Sequence, residues 1–117
     1  MITAFAALAA QVAATEQVQA GDAKKGSIVF ERLQCFTCHP GGGNVINPAR
    51  PIKGKAFNKR YPEDAQIADI LRQGNPGTAM PAYSTDRLSD SDLTDLIAYV
   101  RSLTPQSKGT PNGWLKL

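Results

Sequence analysis

The sequence is short of the residue types that build metal sites and cross-links. Its 117 residues include two cysteines, one histidine, two methionines and one tryptophan. Two thiols three positions apart would close only a tiny loop, so a disulfide framework is excluded. A structural zinc site wants four ligands, and Cys35, Cys38 and His39 supply three. No run of about 20 apolar residues is present, so no comfortable membrane span can be drawn. Strand-like alternation and internal repeats are also missing. A thioredoxin-type use of C-x-x-C, which needs a βαβ setting, therefore has no context. Charge is not strongly one-sided. Thirteen Lys and Arg against ten Asp and Glu give +3, too weak a balance to imply nucleic-acid binding.

What is present suits one small domain. The chain is 42% hydrophobic and 20% charged, in the range of a globular protein. A domain of this size buries a modest share of its surface and often relies on a metal or cofactor for its core. Residues 1–14 are apolar and alanine-rich, interrupted by Thr3 and Gln11, and small residues around Ala20 precede Gly21. The expectation is a cleaved export signal over residues 1–20, with a weak membrane anchor as the alternative. Glu16 is the only charged residue in that stretch, so its removal would leave +4.

Asp22 can cap a first helix from about Ala23 to Gln34, with Ile28, Val29, Phe30 and Leu33 on its apolar side. Gly26 costs about 1 kcal/mol in a helix interior relative to alanine, which points to close approach by another helix. The stretch from Pro40 through Pro51 reads as loop. Arg50, Lys53, Lys55, Lys59 and Arg60 form a basic segment, read as a solvated loop in preference to a docking patch. Pro62 at a first helical position, with Glu63 and Asp64 behind it, opens a second helix that Gly74 ends. Its apolar face is Ala65, Ile67, Ala68, Ile70 and Leu71. A turn-rich loop runs from Asn75 to Pro81. Ser89, in a capping box with Asp92, opens a last helix to about Leu103, and Thr104-Pro105 stops it. Residues 106–117 form a polar tail carrying Trp114.

The chemistry concentrates in Cys35-Phe36-Thr37-Cys38-His39. C-x-x-C-H is the attachment signature of a c-type haem. Each thiol can add across one vinyl group to form a thioether, and the adjacent imidazole can bind iron on the proximal face. With His39 the only histidine, bis-histidine ligation is excluded within the chain. Met1 falls in the expected signal, which leaves Met80, forty-one positions beyond His39, as the candidate opposite ligand. A lone methionine is otherwise core filler. Beside a haem motif, on a loop stiffened by Pro76 and Pro81, ligation is the preferred reading, and a thioether ligand raises the reduction potential.

With these residues the sequence resembles a class I cytochrome c. Gly26 and Phe30 match that family's helix-crossing positions, and Tyr99 matches the aromatic on its last helix. Three runs resemble the small photosynthetic cytochromes of the c-six type: Gly42-Gly43-Asn44-Val45-Ile46, Thr78-Ala79-Met80-Pro81-Ala82-Tyr83 and Arg87-Leu88-Ser89-Asp90. Pro40, the basic stretch from Pro48 to Arg60, Tyr83 and the Trp114 tail depart from that pattern. The resemblance implies an all-α fold of three to four helices around one covalent haem over residues 21–105. It also implies that a downstream proline carbonyl, Pro48 or Pro51, supports His39. Tyr61, Arg72 and Gln73 are candidates to face a haem propionate.

The function expected is a soluble, monomeric, non-enzymatic electron carrier, exported to a periplasm or thylakoid lumen. The resemblance implies transfer from a quinol-oxidising cytochrome complex to a photosystem or terminal oxidase. Contacts would be transient, on acidic docking surfaces of membrane redox complexes. Two alternatives stand beside it. One is a cytochrome subunit of a larger oxidoreductase, with Trp114 and the tail as contact surface. The other is a haem enzyme or gas sensor with an open axial site.

Overall fold

Asp22 begins the architecture by doing what its side chain favours. In the computed structural model, which describes residues 21–105, its carboxylate accepts hydrogen bonds from the Lys24 and Lys25 amides at 2.9 and 3.1 Å. Those amides have no partner inside a helix, so the cap starts α1, Ala23–Arg32. The expected signal, Met1 and the Trp114 tail lie outside the described residues. Among the described residues α1 is followed by α2 (Lys55–Arg60), α3 (Asp64–Gln73) and α4 (Asp90–Ser102), with short 3-10 turns at Cys35–Thr37 and Pro40–Gly42 and no strand. None of these helices is long and apolar enough to cross a membrane.

α1 ends two residues before the expected Gln34. Gln34 itself sits in the left-handed region at φ 61°, which a helix cannot continue through. That conformation costs a non-glycine residue about 1–2 kcal/mol, and it turns the chain into the Cys35–Thr37 turn. Ile28 is a correction to the expected apolar face. It is 65% exposed, while its neighbours Val29 and Phe30 are buried. Each residue advances about 100° around the helix, so three consecutive apolar residues cannot all face one side.

The basic segment is not wholly loop. α2 occupies Lys55–Arg60 and drives Phe57 into the core at 5% exposure. Six residues with one buried side chain show too little periodicity to betray a helix in the sequence. α3 also starts later than expected. Pro62 lies outside the helix, Glu63 is its N-cap, and the Glu63 amide donates to Gln66 Oε1 at 2.8 Å. Ile67 and Leu71 are buried on α3, whereas Ala65 is exposed. On α4, Ser89 Oγ accepts from the Asp92 amide at 3.1 Å, one half of the expected box. Leu96, Ile97 and Val100 face inward.

The first and last helices cross where glycine permits it. A Cβ on Gly26 would fall inside the Asp95 carbonyl and lie 2.8 Å from Tyr99 Cβ. Phe30 and Tyr99 pack beside the crossing with ring centroids 5.0 Å apart, tilted 59°. The Asp22 amide reaches across to Asp95 Oδ1 at 2.8 Å.

Arginines fasten the remaining elements. Arg101 on α4 donates to Asp64 Oδ1, Asn58 Oδ1 and the Tyr61 carbonyl at 2.8, 3.0 and 2.7 Å, so it holds α2 and α3 together. Arg72 on α3 donates to the Leu88 and Tyr83 carbonyls at 2.7 and 3.2 Å and to Asp90 at 2.7 Å. The core they enclose runs from Val29 and Phe30 through Leu88 and Leu96, the two most completely buried large side chains.

A haem-sized cavity as candidate functional site

The backbone after α1 folds back on itself through successive tight turns. The Cys38 and His39 amides donate to the Cys35 carbonyl at 3.2 and 2.9 Å. Pro40 then opens the second 3-10 turn, where a missing N–H costs nothing. The Gly42 and Gly43 amides bond the carbonyls of His39 and Pro40, and Val45 bonds back to Cys38 at 2.9 Å. Gly41 and Gly42 have φ of 63° and 89°, values open to glycine. This path brings the Gly43 carbonyl 2.7 Å from His39 Nδ1. A carbonyl can only accept, so Nδ1 donates to it, and Nε2 is the ring nitrogen free of that bond. The supporting carbonyl is therefore Gly43's, and not that of Pro48 or Pro51. The two glycines reverse the chain before either proline is reached.

On the opposite side, Met80 is held by its own loop. Thr78 Oγ1 donates to the Asn75 carbonyl at 2.7 Å and accepts from the Met80 amide at 3.1 Å. The Asn75 amide meets the Met80 carbonyl at 3.2 Å, and the Tyr83 amide is tied to the Leu71 carbonyl at 2.8 Å. Gly74, at φ 75°, lets the loop cross close above it. A Cβ there would be 3.0 Å from both the Met80 carbonyl oxygen and the Ala82 nitrogen. Met80 is half-buried and packs against the core.

All four expected site residues, Cys35, Cys38, His39 and Met80, line one cavity of about 510 Å³. That volume lies in the usual range for cofactor sites. Phe30, Phe57, Ile67, Leu71, Leu96 and Val100 supply much of its apolar wall. Burial raises the Cys35 thiol above its ordinary value. Burial is also the main cause of a raised Tyr83 phenol, with Cys35 adding to it and Arg87, 4.8 Å over the ring, opposing it. The donor set suits haem c: two thiols at one turn, an imidazole, a thioether, and an apolar enclosure. It does not suit zinc. Among the described residues no group of three or more His, Cys, Asp or Glu side chains could hold a metal ion.

The residues expected to face a propionate divide. Tyr61 lines the cavity, but Arg72 and Gln73 do not. Arg72 is committed to Tyr83, Leu88 and Asp90 instead. Two other residues were hidden in the basic segment: Arg50 and Arg60 both line the cavity. The exposed apolar side chains Phe36, Val45 and Ile46 lie on the cysteine-bearing turns and the loop after them, at 45%, 55% and 62% exposure.

Comparison with known proteins bears directly on this site. The family model described as cytochrome C oxidase, cbb3-type, subunit III matches residues 21–100. Cytochrome c6 of Thermosynechococcus vestitus is 38% identical over 96 residues, covering 80% of this chain and 81% of that protein. The chain belongs to the class I cytochrome c family. Cytochrome c6 of Cyanidioschyzon merolae is 37% identical over 86 residues, covering 73% and 78% of the two chains. The solved cytochrome c6 of the diatom Phaeodactylum tricornutum superimposes with a TM-score of 0.58 at 33% identity, covering 68% of this chain and 91% of that one. As a member of this family the cytochrome carries one covalently bound haem c and acts as an electron carrier, not an enzyme.

Proposed function

We propose that Cys35 and Cys38 hold the haem by thioether bonds, that His39 and Met80 are its axial ligands, and that the protein ferries single electrons between membrane redox complexes. The observation that carries this reading is the convergence of these four side chains, from two distant loops, on one apolar cavity. When bound, the haem supplies a one-electron ferrous–ferric couple, with a potential raised by histidine–methionine ligation. The chain's own part would be to hold a ligand for the iron on each of two loops. Gly43 fixes the imidazole and Thr78 fixes the methionine loop, so little need move when the charge changes.

The donor is a quinol-oxidising cytochrome complex and the acceptor a photosystem or terminal oxidase. The apolar rim of Phe36, Val45 and Ile46 forms the contact, while the basic segment favours acidic partner surfaces. The protein works as a monomer in a periplasm or thylakoid lumen after cleavage of residues 1–20. The description of the matching family model favours a second reading, a subunit of a terminal oxidase. Gel filtration of a native extract separates the two: a free carrier elutes alone, and comigration with a large complex would establish the subunit.

The ligation is tested spectroscopically. A pyridine haemochrome should show two saturated thioether links, and Met80→Ala should lose the iron–methionine charge-transfer absorption that the wild type displays. Rapid carbon monoxide binding to untreated ferrous wild type would instead establish an open axial site and a different function.

A further inference from the structure

Three cations of the basic segment stand apart from the cavity. Lys53, Lys55 and Lys59 are exposed and do not line it. None has a carboxylate partner among the described residues, and no acidic residue occurs in the sequence between Glu31 and Glu63.

The fold gathers these lysines at one edge. Phe57 is buried, and Lys55 and Lys59, each two residues from it, fall about 200° away around α2, on the same outward face as each other. Arg101 holds α2 there through Asn58 and the Tyr61 carbonyl. The Lys53 stem lies against Gly42, where a Cβ would be 2.9 Å from Lys53 Cδ and 3.2 Å from Leu103 Cδ1. Beside it, the Gly54 amide donates to Thr104 Oγ1 at 2.8 Å. The end of α4 is thus tied to residues 53–54, and the chain beyond Pro105 sets out from this edge. Its sequence, residues 106–117, adds Lys108 and Lys116, no acidic residue, and the run Trp114-Leu115-Lys116-Leu117.

That combination matches the two layers of a membrane surface. Lysine ammoniums are hydrated point charges, drawn to anionic headgroups without a fixed pairing geometry. Tryptophan and leucine settle at the boundary between headgroups and acyl chains. An acidic protein patch would satisfy the lysines but gives the Trp-Leu-Lys-Leu run no role.

We propose that Lys53, Lys55 and Lys59, together with Lys108 to Leu117, form a reversible binding surface for bilayers of anionic phospholipid. This goes beyond the electron-carrier reading. Because the three lysines lie outside the cavity wall, a protein held through them keeps the cavity rim free to meet partners embedded in the same membrane.

The test is cosedimentation of full-chain holoprotein with vesicles of phosphatidylcholine alone or mixed with phosphatidylglycerol. Wild type should pellet with the mixed vesicles at low salt, stay in solution with the neutral ones, and be released by high salt. Emission of Trp114, the only tryptophan, should shift to the blue on binding. Lys55→Gln/Lys59→Gln should weaken binding roughly tenfold or more. Lys24→Gln/Lys25→Gln removes the same charge from exposed positions on α1 and should weaken it far less. Trp114→Ser should weaken binding and leave its salt dependence in place. All variants share the same first residues, so differences between them belong to the side chains changed. Equal losses in the two lysine pairs would reduce the effect to net charge and overturn the surface. A wild type indifferent to phosphatidylglycerol, or held as firmly by phosphatidylcholine alone, would overturn it too. Either failure leaves the electron-carrier reading standing, since that reading fails instead by a missing haemochrome.

Discussion

Single atoms decide much of this site. Gly74 is where the Met80 loop crosses α3, at a φ that side chains rarely adopt and with no room for a Cβ. Gly74→Ala should push the Met80–Ala82 backbone outward. The charge-transfer absorption of the Fe–S bond should then disappear at a lower temperature than helical circular dichroism does; a band as heat-resistant as in the wild type would contradict this. His39 is a second case. C-x-x-C-H alone points to it as the candidate proximal ligand, but does not show its hydrogen-bond partner. The Gly43 carbonyl lies four residues on, and only the left-handed turns at Gly41 and Gly42 bring it within 2.7 Å. Glycine spacing in a sequence signals a turn without telling where its carbonyls point.

At the scale of elements, the α1–α4 crossing depends on a missing side chain. Gly26→Ala would gain about 1 kcal/mol of helix propensity. It would also drive a methyl group into the Asp95 backbone, and overpacking of this kind costs typically 1–3 kcal/mol. Here the obstacle is a main-chain carbonyl that cannot rotate away, so the steric effect should win. A lower melting temperature is expected, and an unchanged or higher one would show that the helices part freely.

The cap of α1 carries a pH signature. Hydrogen bonds from the Lys25 and then the Lys24 amide hold the Asp22 carboxyl below its ordinary value of 3.8, against an opposing desolvation. A depressed carboxyl stabilises the fold above its unfolded value and loses that contribution as pH falls through the folded value. Acid titration of stability should therefore steepen below about pH 4, and Asp22→Asn should flatten that limb. Parallel acid limbs in the two proteins would rule the cap out as a source.

Helix prediction succeeded where several turns of apolar spacing accumulate, as in α1, α3 and α4. It failed for α2, where the burial of Phe57 and the grip of Arg101 on Asn58 and Tyr61 stabilise a helix of six residues. Those are tertiary causes, invisible to local pattern. The same holds for Arg50 and Arg60. Their charge was plain in the sequence, but only the fold puts them along the cavity, where Lys53, Lys55 and Lys59 are not.

For the whole molecule, the cavity sets a condition on folding. A cleft of about 510 Å³ lined by Phe57, Ile67, Leu71 and Leu96 would, without the haem, leave that apolar wall facing water, at about 1.5–3 kcal/mol for each such side chain fully uncovered. Entire small domains are stable by about 5–15 kcal/mol. Cys35→Ser/Cys38→Ser protein purified free of haem should accordingly show little helical circular dichroism and no cooperative melt. A haem-free chain melting cooperatively near the wild-type temperature would mean that the protein alone supplies the core.

The helix crossing also bears on how the protein is made. It joins Asp22 to Asp95 across 73 positions, and loop closure over such a span must precede the contacts that reward it. During synthesis, the contacts of α1 with α4 must wait for α4. If Cys35 and Cys38 hold the haem as proposed, both sulfurs stay on an open chain through that interval, and closure of the last helix follows.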